Sequence, residues 1–333
     1  MGKYKSFIKI IISIAAGVFL CGIWLQMIHL PTVISHFYHL QKKMLLPSLS
    51  FYLLAYFFRS QRLKYLLAPK LVLSSLRNFW YVLTGNYLNY LIPLRAGEVA
   101  KCLIYKKKHQ LSIAESLPII FLDKFCDTII IFGVLILLPL TPIIFSPYLN
   151  WLIILIILVF CFGLLIIVLA TVKKEQTVNF IQKLFFFIPL QYNKQLIKSV
   201  TLFTEGLTIL STQKKIISYA LFYTFLATVS DSLFFFLMMQ GFHVDISFRQ
   251  VMFGYTLIFL SYILPHPPLH IGSNELVMVI IFTLGMGYEE NLISAVMSLS
   301  HLLTGLVILL TGTIGLLYTG IEINDIKKIF AKP

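Results

Sequence analysis

Charge is what this sequence has least of, negative charge above all. Asp, Glu, Lys and Arg make up 12% of 333 residues, and 13 acidic side chains face 27 basic ones. A soluble domain carries about a quarter charged residues, so a solvent-wrapped globule is excluded. Cysteine is also scarce. Cys21, Cys102, Cys126 and Cys161 lie in or beside apolar segments without metal or redox spacing, so they read as small buried hydrophobes and not as a disulfide framework. No Gly-x-x-x-x-Gly-Lys-Ser/Thr loop occurs, which excludes transport powered by the chain's own ATP hydrolysis. No cofactor is expected. The net charge of +14 invites nucleic acid as a partner, yet no basic, aromatic-bearing soluble module is there to bind it, and none is expected.

What fills the sequence is apolar: 59% hydrophobic residues and a mean hydropathy of +0.89. Several runs reach the 18 or more residues that cross a bilayer, which makes this an all-α polytopic membrane protein, one integral domain over 1–333. The first run follows Lys3, Lys5 and Lys9 and extends to about Ile28. It is too long for a signal-peptide core, and Val18-Phe19-Leu20-Cys21 lacks the small residue a lipoprotein site needs. Further spanning runs lie near 45–67, 117–145, 149–172, 216–240 and 291–320, so about six helices cross.

Two apolar stretches fit less well. Residues 78–93 end in Pro93, and 250–264 and 274–288 flank a run of prolines and histidines; both read as re-entrant broken hairpins. The basic residues of 3–9, 59–77, 101–108, 173–215 and 327–332 then share the cytoplasmic face, with Lys42, Lys43 and Arg249 outside. Long helix, long helix, broken hairpin, long helix describes 1–148 and again 149–320, starting from opposite sides, so the halves are expected to be inverted repeats. Both termini are cytoplasmic in this reading. The stretch 173–215 becomes a basic linker, with Phe185, Phe186 and Phe187 among its lysines, lying on the anionic membrane surface.

The breaks themselves are Pro93-Leu94-Arg95-Ala96-Gly97-Glu98 and Pro265-His266-Pro267-Pro268-Leu269-His270-Ile271-Gly272-Ser273-Asn274-Glu275. A charge in hydrocarbon costs about 2.5–3.5 kcal/mol on insertion scales, and broken segments at corresponding positions of two halves mark a transporter's midplane site. Arg95 and Glu98, three apart, share a face of a short helix. The guanidinium either grips a lipid phosphate through two hydrogen bonds or pairs with Glu98 or Asp127 in a structural ion network. Asp123 and Asp127, with Lys124 alongside, are either counter-charges for Arg95 or a coupling site for a proton or cation. His266, His270 and Glu275 are ligand types, but Pro267 and Pro268 forbid the helix that a four-residue spacing needs, so no metal is expected. Glu275 falls in the first turn of a half-helix capped by Ser273 or Asn274, whose N–H groups either only begin the helix or also receive an anionic headgroup. Arg59 and Arg62 close the second helix and read as snorkelling to cytoplasmic headgroups. Asp231 and Glu205 stand too isolated to assign.

The string Asn86-Tyr87-Leu88-Asn89-Tyr90-Leu91-Ile92-Pro93-Leu94-Arg95-Ala96-Gly97-Glu98, then Asp123-Lys124-Phe125-Cys126-Asp127, then 265–275 followed by Leu284-Gly285, resembles the lysylphosphatidylglycerol synthase transmembrane family. That family comprises the flippase-like domain of the bacterial multiple peptide resistance factor and its stand-alone relatives. The likeness runs over most of the chain. It implies a multi-helix protein of the bacterial inner membrane that binds and translocates a phospholipid or polyprenyl-linked lipid. Together with the chemistry above, it makes Asn86, Asn89, Arg95, Glu98, Lys124, His270, Ser273, Asn274 and Glu275 the substrate-binding candidates, and Asp123 and Asp127 the coupling or counter-ion residues. Two departures stand out. Asp123-Lys124 replaces the family's usual Glu-Arg, trading a bidentate fork for a point charge. Pro268-Leu269-His270-Ile271-Gly272 replaces Pro-Gly-Gly-x-Gly, which leaves the tightness of the second turn open. No aminoacyl-transferase domain follows residue 333, so synthase activity is not expected.

Transport is the leading function, with a headgroup gripped by Arg95 between the hairpins while the two halves rock around it. The alternatives are an accessory or scaffold protein of a lipid or glycan pathway and an integral-membrane lipid-modifying enzyme. Against an enzyme, Asp123 and Asp127 lack the upstream Asp-Gly and third acid of a metal-dependent phosphoalcohol transferase, and no Ser/His/Asp or Arg-His-Asp constellation is found.

Overall fold

Prolines, glycines and hydroxyl caps set where the helices begin and end. The computed structural model describes residues 2–92, 96–137, parts of 146–162, 213–262 and 266–321, the first eleven of these as main chain only; the described residues hold helices and no strand. Helix α1 is Gly2–Met27 and α2 is Leu30–Tyr38, with Pro31 at the entry of α2, where a missing N–H costs nothing. The two are bent by 78°. After a 3-10 turn at Lys42–Met44 come α3 (Leu45–Leu67), α4 (Ser75–Leu91), α5 (Ala96–His109) and α6 (Ile113–Ile136). Ser112 and Glu115 cap α6 reciprocally. Then follow α7 (Lys214–Gly241), α8 (Phe248–Ser261), a 3-10 turn at Pro268–His270, α9 (Ser273–Met278) running on as a π turn through Val279–Gly285, and α10 (Glu290–Thr319). Gly320, at a φ of 58°, closes α10 in the left-handed conformation.

Among the described residues, α7 and α10 are long and apolar enough to cross a membrane, and the bent α1–α2 pair makes a third if it counts as one span. Six clear spans are therefore not evident by length and hydropathy. The reason is internal charge. Helices α3 and α6 have 23 and 24 residues, but one carries Arg59, Arg62 and Lys64 and the other Glu115, Asp123, Lys124 and Asp127. The expected run at 117–145 is helical to Ile136, with 138–145 outside the described residues. Of 149–172 only the short apolar helix Ile153–Phe162 is described in part, while nearly all of the 173–215 linker and all of 327–332 lie outside. Cysteines 102 and 126 are buried as expected, whereas Cys161 is exposed on its apolar helix.

Two antiparallel pairs carry the bundle, and each joins the first half of the chain to the second. Along α3 and α7, Tyr65 stacks on Tyr219 and Tyr223, Tyr52 meets Phe234 at 5.4 Å and Ser48 donates to Met238 Sδ at 3.4 Å. Along α4 and α10, Gly305, Gly312 and Gly315 lie against Tyr90, Tyr87 and Thr84. Small residues let membrane helices approach closely where dispersion must replace the hydrophobic drive. The same device closes the first broken hairpin: a Cβ at Gly97 on α5 would overlap the carbonyl of Gly85 on α4. At 17 and 14 residues, those two helices are about 25 and 21 Å long, short of a bilayer core of roughly 30 Å.

The open ends of the two hairpins lie at opposite ends of the bundle. Helix α4 starts beside α3's last turn, where Lys64 donates to Ser75, and α5 returns there, with His109 beside Tyr81. This end carries Lys70, Arg77, Lys106, Lys107 and Lys108. The α8–α9 hairpin opens at the other end, where Tyr288 donates to the Asp245 carbonyl, Gln41 N–H to Gly241 and the His29 N–H to Asn291.

Replacing Gly97 by Ala should therefore force α4 and α5 apart, at a cost of about 1–3 kcal/mol, the usual range for overpacking. Gly133→Ala on α6, where a Cβ meets nothing within 4 Å, is the control. A detergent melting curve should drop for the first variant and stay within a degree or two, or rise, for the second.

Candidate functional site

An arginine inside a helix bundle needs carboxylates, and α3 supplies the arginines. Arg62 is fully buried. Its Nε donates to Asp123 Oδ1 at 2.6 Å, its Nη1 to Asp127 Oδ1 and Thr224 Oγ1, and its Nη2 to Asp127 Oδ2 at 3.1 Å. The guanidinium fork thus takes up both α6 carboxylates, placed on one face by their four-residue spacing. One turn earlier, Arg59 binds Asp231 of α7 and the Tyr255 hydroxyl of α8, and Tyr255 donates to Asp231 at 2.6 Å. Tyr56 and Phe259 lie against the Arg59 guanidinium, at 5.3 and 5.9 Å. Neither arginine snorkels to headgroups, and Asp231 is not isolated: desolvated charges inside the bundle find each other before they find water. Asp123 and Asp127 both serve Arg62 as counter-charges; Pro93, Leu94 and Arg95 lie outside the described residues, and with them the expected pairing to Arg95.

The first break adds the rest of this cluster. Asn89, near the end of α4, accepts from Gly97 N–H at 2.7 Å and donates to Glu98 Oε1 at 3.1 Å. One amide side chain thereby holds the start of α5 and its carboxylate. Glu98 pairs with buried Lys101 at 2.5 Å, and Lys124 spans Glu98 at 3.6 Å and Asp127 at 3.9 Å. Asn86, Asn89, Glu98, Asp123 and Lys124, with Arg59, Arg62 and Lys101, line a cavity of about 30 Å³. That is room for about two waters or one small charged group. Lys124 is the loosest member, its side chain 35% exposed and both its contacts long.

The second break makes a separate cluster. Gly272, at a φ of 78°, precedes α9, and Glu275 Oε2 folds back to accept its N–H at 2.9 Å. The expected cap is thus corrected: Ser273 donates instead to the His270 carbonyl at 2.9 Å, and Asn274 is buried inside the first turn. Leu269 and His270 adopt positive φ values of 59° and 57°, so the turn is as tight as glycines would make it, at about 1–2 kcal/mol per residue. His301 of α10 bonds Glu275 Oε1 through Nδ1 and faces the Leu269 carbonyl, at 2.7 Å, and the Tyr90 hydroxyl, at 3.4 Å, through Nε2. Tyr90, the neighbour of Asn89, also meets the His270 ring at 5.6 Å. The structure therefore brings Asn86, Asn89, Glu98, Lys124 and Asp123 together at one cavity, with Asp127 behind it on Arg62 and Lys124. It brings His270, Ser273, Asn274 and Glu275 together at another place, and joins the two through α4.

Sequence reasoning missed Arg62, Arg59, Asp231, Lys101 and His301 as members of these clusters. Two signals were available: Lys101 follows Glu98 by three, and Asp231 is a lone acid in an apolar run, which by default demands a partner.

A comparison with protein families matches residues 6–312 to the family described as the lysylphosphatidylglycerol synthase TM region. Comparison with curated proteins finds no match, and comparison with solved structures finds none.

Removing one partner of a buried ion pair leaves a charge uncompensated, at about 3–5 kcal/mol. Arg62→Ala should show a loss of that size in a chemical or thermal melt. Adding Asp123→Asn and Asp127→Asn to it should recover much of the loss, because the orphaned carboxylates are then gone.

Proposed function

The chain belongs to the lysylphosphatidylglycerol synthase transmembrane family, and on that premise we propose that this membrane protein binds a lipid headgroup at the cavity between α3, α4, α5 and α6 and moves it across the bilayer. Membership itself points to a membrane, lipid-related role. The observation that carries the finer reading is the charge census of the cluster. Arg59, Arg62, Lys101 and Lys124 meet Glu98, Asp123, Asp127 and Asp231, four of each sign. Arg95, next in sequence before α5 and outside the described residues, is the cation this reading adds to the balanced cluster, and a single phosphodiester would match its charge. Lys124, loosely held at the rim, is the side chain best placed to exchange its carboxylates for the phosphate. The substrate class is a phospholipid or polyprenyl-linked lipid.

The architecture proposed around this site keeps α4–α5 and α8–α9 as re-entrant hairpins within about six spans, with the halves 1–148 and 149–320 as inverted repeats. Opposite entry of the two hairpins and the basic character of the α4–α5 end support it. The membrane is the bacterial inner membrane, with both termini and 173–215 cytoplasmic and no catalytic step assigned. A single cysteine placed at position 190 or 330 should resist an impermeant reagent added to intact cells; labelling there would reverse the topology.

In proteoliposomes with a labelled anionic phospholipid, Lys124→Gln and Arg95→Lys should each slow translocation about tenfold or more, while the melting temperature changes little. The first variant removes a mobile cation and the second keeps the charge but loses the fork. Parent-level translocation by both variants would mean that the cluster is a structural ion network and not a headgroup site.

A further inference from the structure

We propose that Glu275 and His301 form a proton-binding site, and that its occupancy decides whether His301 holds the second broken segment or the end of α4. Proton counting on one side chain carries the inference. His301 Nδ1 faces a Glu275 carboxylate oxygen, and its Nε2 faces the Leu269 carbonyl oxygen at 2.7 Å. A backbone carbonyl only accepts, and so does an ionised carboxylate, whereas a neutral imidazole has a single N–H. The arrangement therefore needs one proton more than an ionised glutamate beside a neutral histidine supplies. Either His301 is an imidazolium donating from both nitrogens, or Glu275 is a carboxylic acid donating to Nδ1 while Nε2–H donates to Leu269. Both forms leave the buried pair with no net charge, and they differ only in which partner carries the proton between Nδ1 and Oε1.

Removing that proton has a defined structural result, because a second partner is already in place. With Glu275 ionised, Nδ1 keeps the hydrogen and Nε2 becomes an acceptor. It can no longer face the Leu269 carbonyl, but it can accept from the Tyr90 hydroxyl, now at 3.4 Å. The Leu269 carbonyl is then released in the turn whose Leu269 and His270 have positive φ, so proton loss frees a strained segment to relax. Tyr90 lies on α4, next to the Asn89 that fixes Glu98. The proton on Glu275 and His301 thus links the second break to the first.

Cys21 of α1, Tyr90 of α4 and Tyr262 at the end of α8 feel the Glu275 charge, and His270 with His266 beside it faces His301. The Arg59–Asp231 pair lies beyond Tyr262. Among the described residues, His301 is the ion-pair partner of Glu275, and no group of His, Cys, Asp and Glu has the arrangement to hold a metal ion. The site itself stands on geometry alone; that the proton drives transport rests on the lipid-translocation reading above. In that case one proton enters from the acidic side, loads the pair and leaves to the other side in each cycle.

The test uses the whole protein in lipid nanodiscs, with ¹⁵N-labelled histidine for NMR and infrared difference spectra for carboxyl groups. At pH 7 the parent should show either an imidazolium that His301→Gln abolishes or a protonated carboxyl that Glu275→Gln abolishes. A neutral His301 beside an ionised Glu275 at that pH would overturn the proposal. Tyr90→Phe, which keeps the ring and removes the alternative partner, should retain the bound proton at higher pH than the parent; an unchanged titration would overturn the switch. In proteoliposomes, a pH gradient should bias lipid distribution by up to about tenfold per unit for one proton per lipid, and Tyr90→Phe should abolish the bias. A parent that translocates lipid but ignores the gradient overturns coupling and leaves the lipid reading intact. One that translocates no lipid overturns the lipid reading, and the proton site is then decided by the spectra.

Discussion

The guanidinium of Arg62, buried between Asp123 and Asp127, is the constraint on which the rest of the bundle depends. Three charges removed from water cost several kcal/mol each, and only good geometry with further hydrogen bonds offsets this. That geometry requires α3 and α6 side by side with Thr224 of α7 against them. The demand then spreads: Arg59 draws in α7 and α8 through Asp231 and Tyr255, and Lys124 draws in α5 through Glu98. A slip of α3, α6 or α7 by a residue would orphan at least one buried charge. The polar layer therefore specifies register more than it adds stability, since well-packed apolar side chains would stabilise the same helices as well or better.

Close approach of the helices makes this layer possible. Glu98 reaches Lys101 and Lys124 only because α5 folds back against α4 at Gly85 and Gly97, and because Asn89 holds the first N–H groups and the carboxylate together. The second break solves the same problem differently. There Gly272 presses on the α1 backbone at Gly17 and Cys21, and the left-handed residues 269 and 270 turn the Leu269 carbonyl toward His301. The turn is held by a histidine's hydrogen bond where two glycines would have let it form freely. Its shape therefore answers to the protonation of its neighbours.

Much of this was legible in the sequence. The run 45–67 is α3 to the residue, both breaks fall where prolines interrupt the apolar pattern, and the motif residues Asn86, Asn89, Glu98, Asp123, Lys124 and Asp127 converge. Local period, proline chemistry and charge cost act over a few residues, so a sequence displays them. Pairing does not act locally. Arg62 and Asp127 are 65 positions apart and Arg59 and Asp231 are 172 apart, and nothing in hydropathy tells an arginine near a helix end that bonds inward from one that snorkels outward. The basic residues of 59–77 made that end read as the cytoplasmic face. His301 was hidden for a related reason: a single histidine in an apolar helix has no motif, and its meaning comes from Glu275, 26 positions away across two helix ends.

The two clusters differ in how firmly they hold their charges, a difference that the proposed lipid movement would use. In the Arg62 group both carboxylates are bonded by one permanently charged fork. Among the described residues the Glu275–His301 pair has no such cation, and in the proposed switch it exchanges its proton, with Tyr90 as the alternative partner. A fixed site next to a switchable one, joined through the single helix α4, gives two states distinguished by contacts rather than by distance alone. Because α4 carries both Asn89 and Tyr90, whatever moves one moves the other. The side chains that position Glu98 and those that sense the proton are therefore neighbours on the same turn of helix.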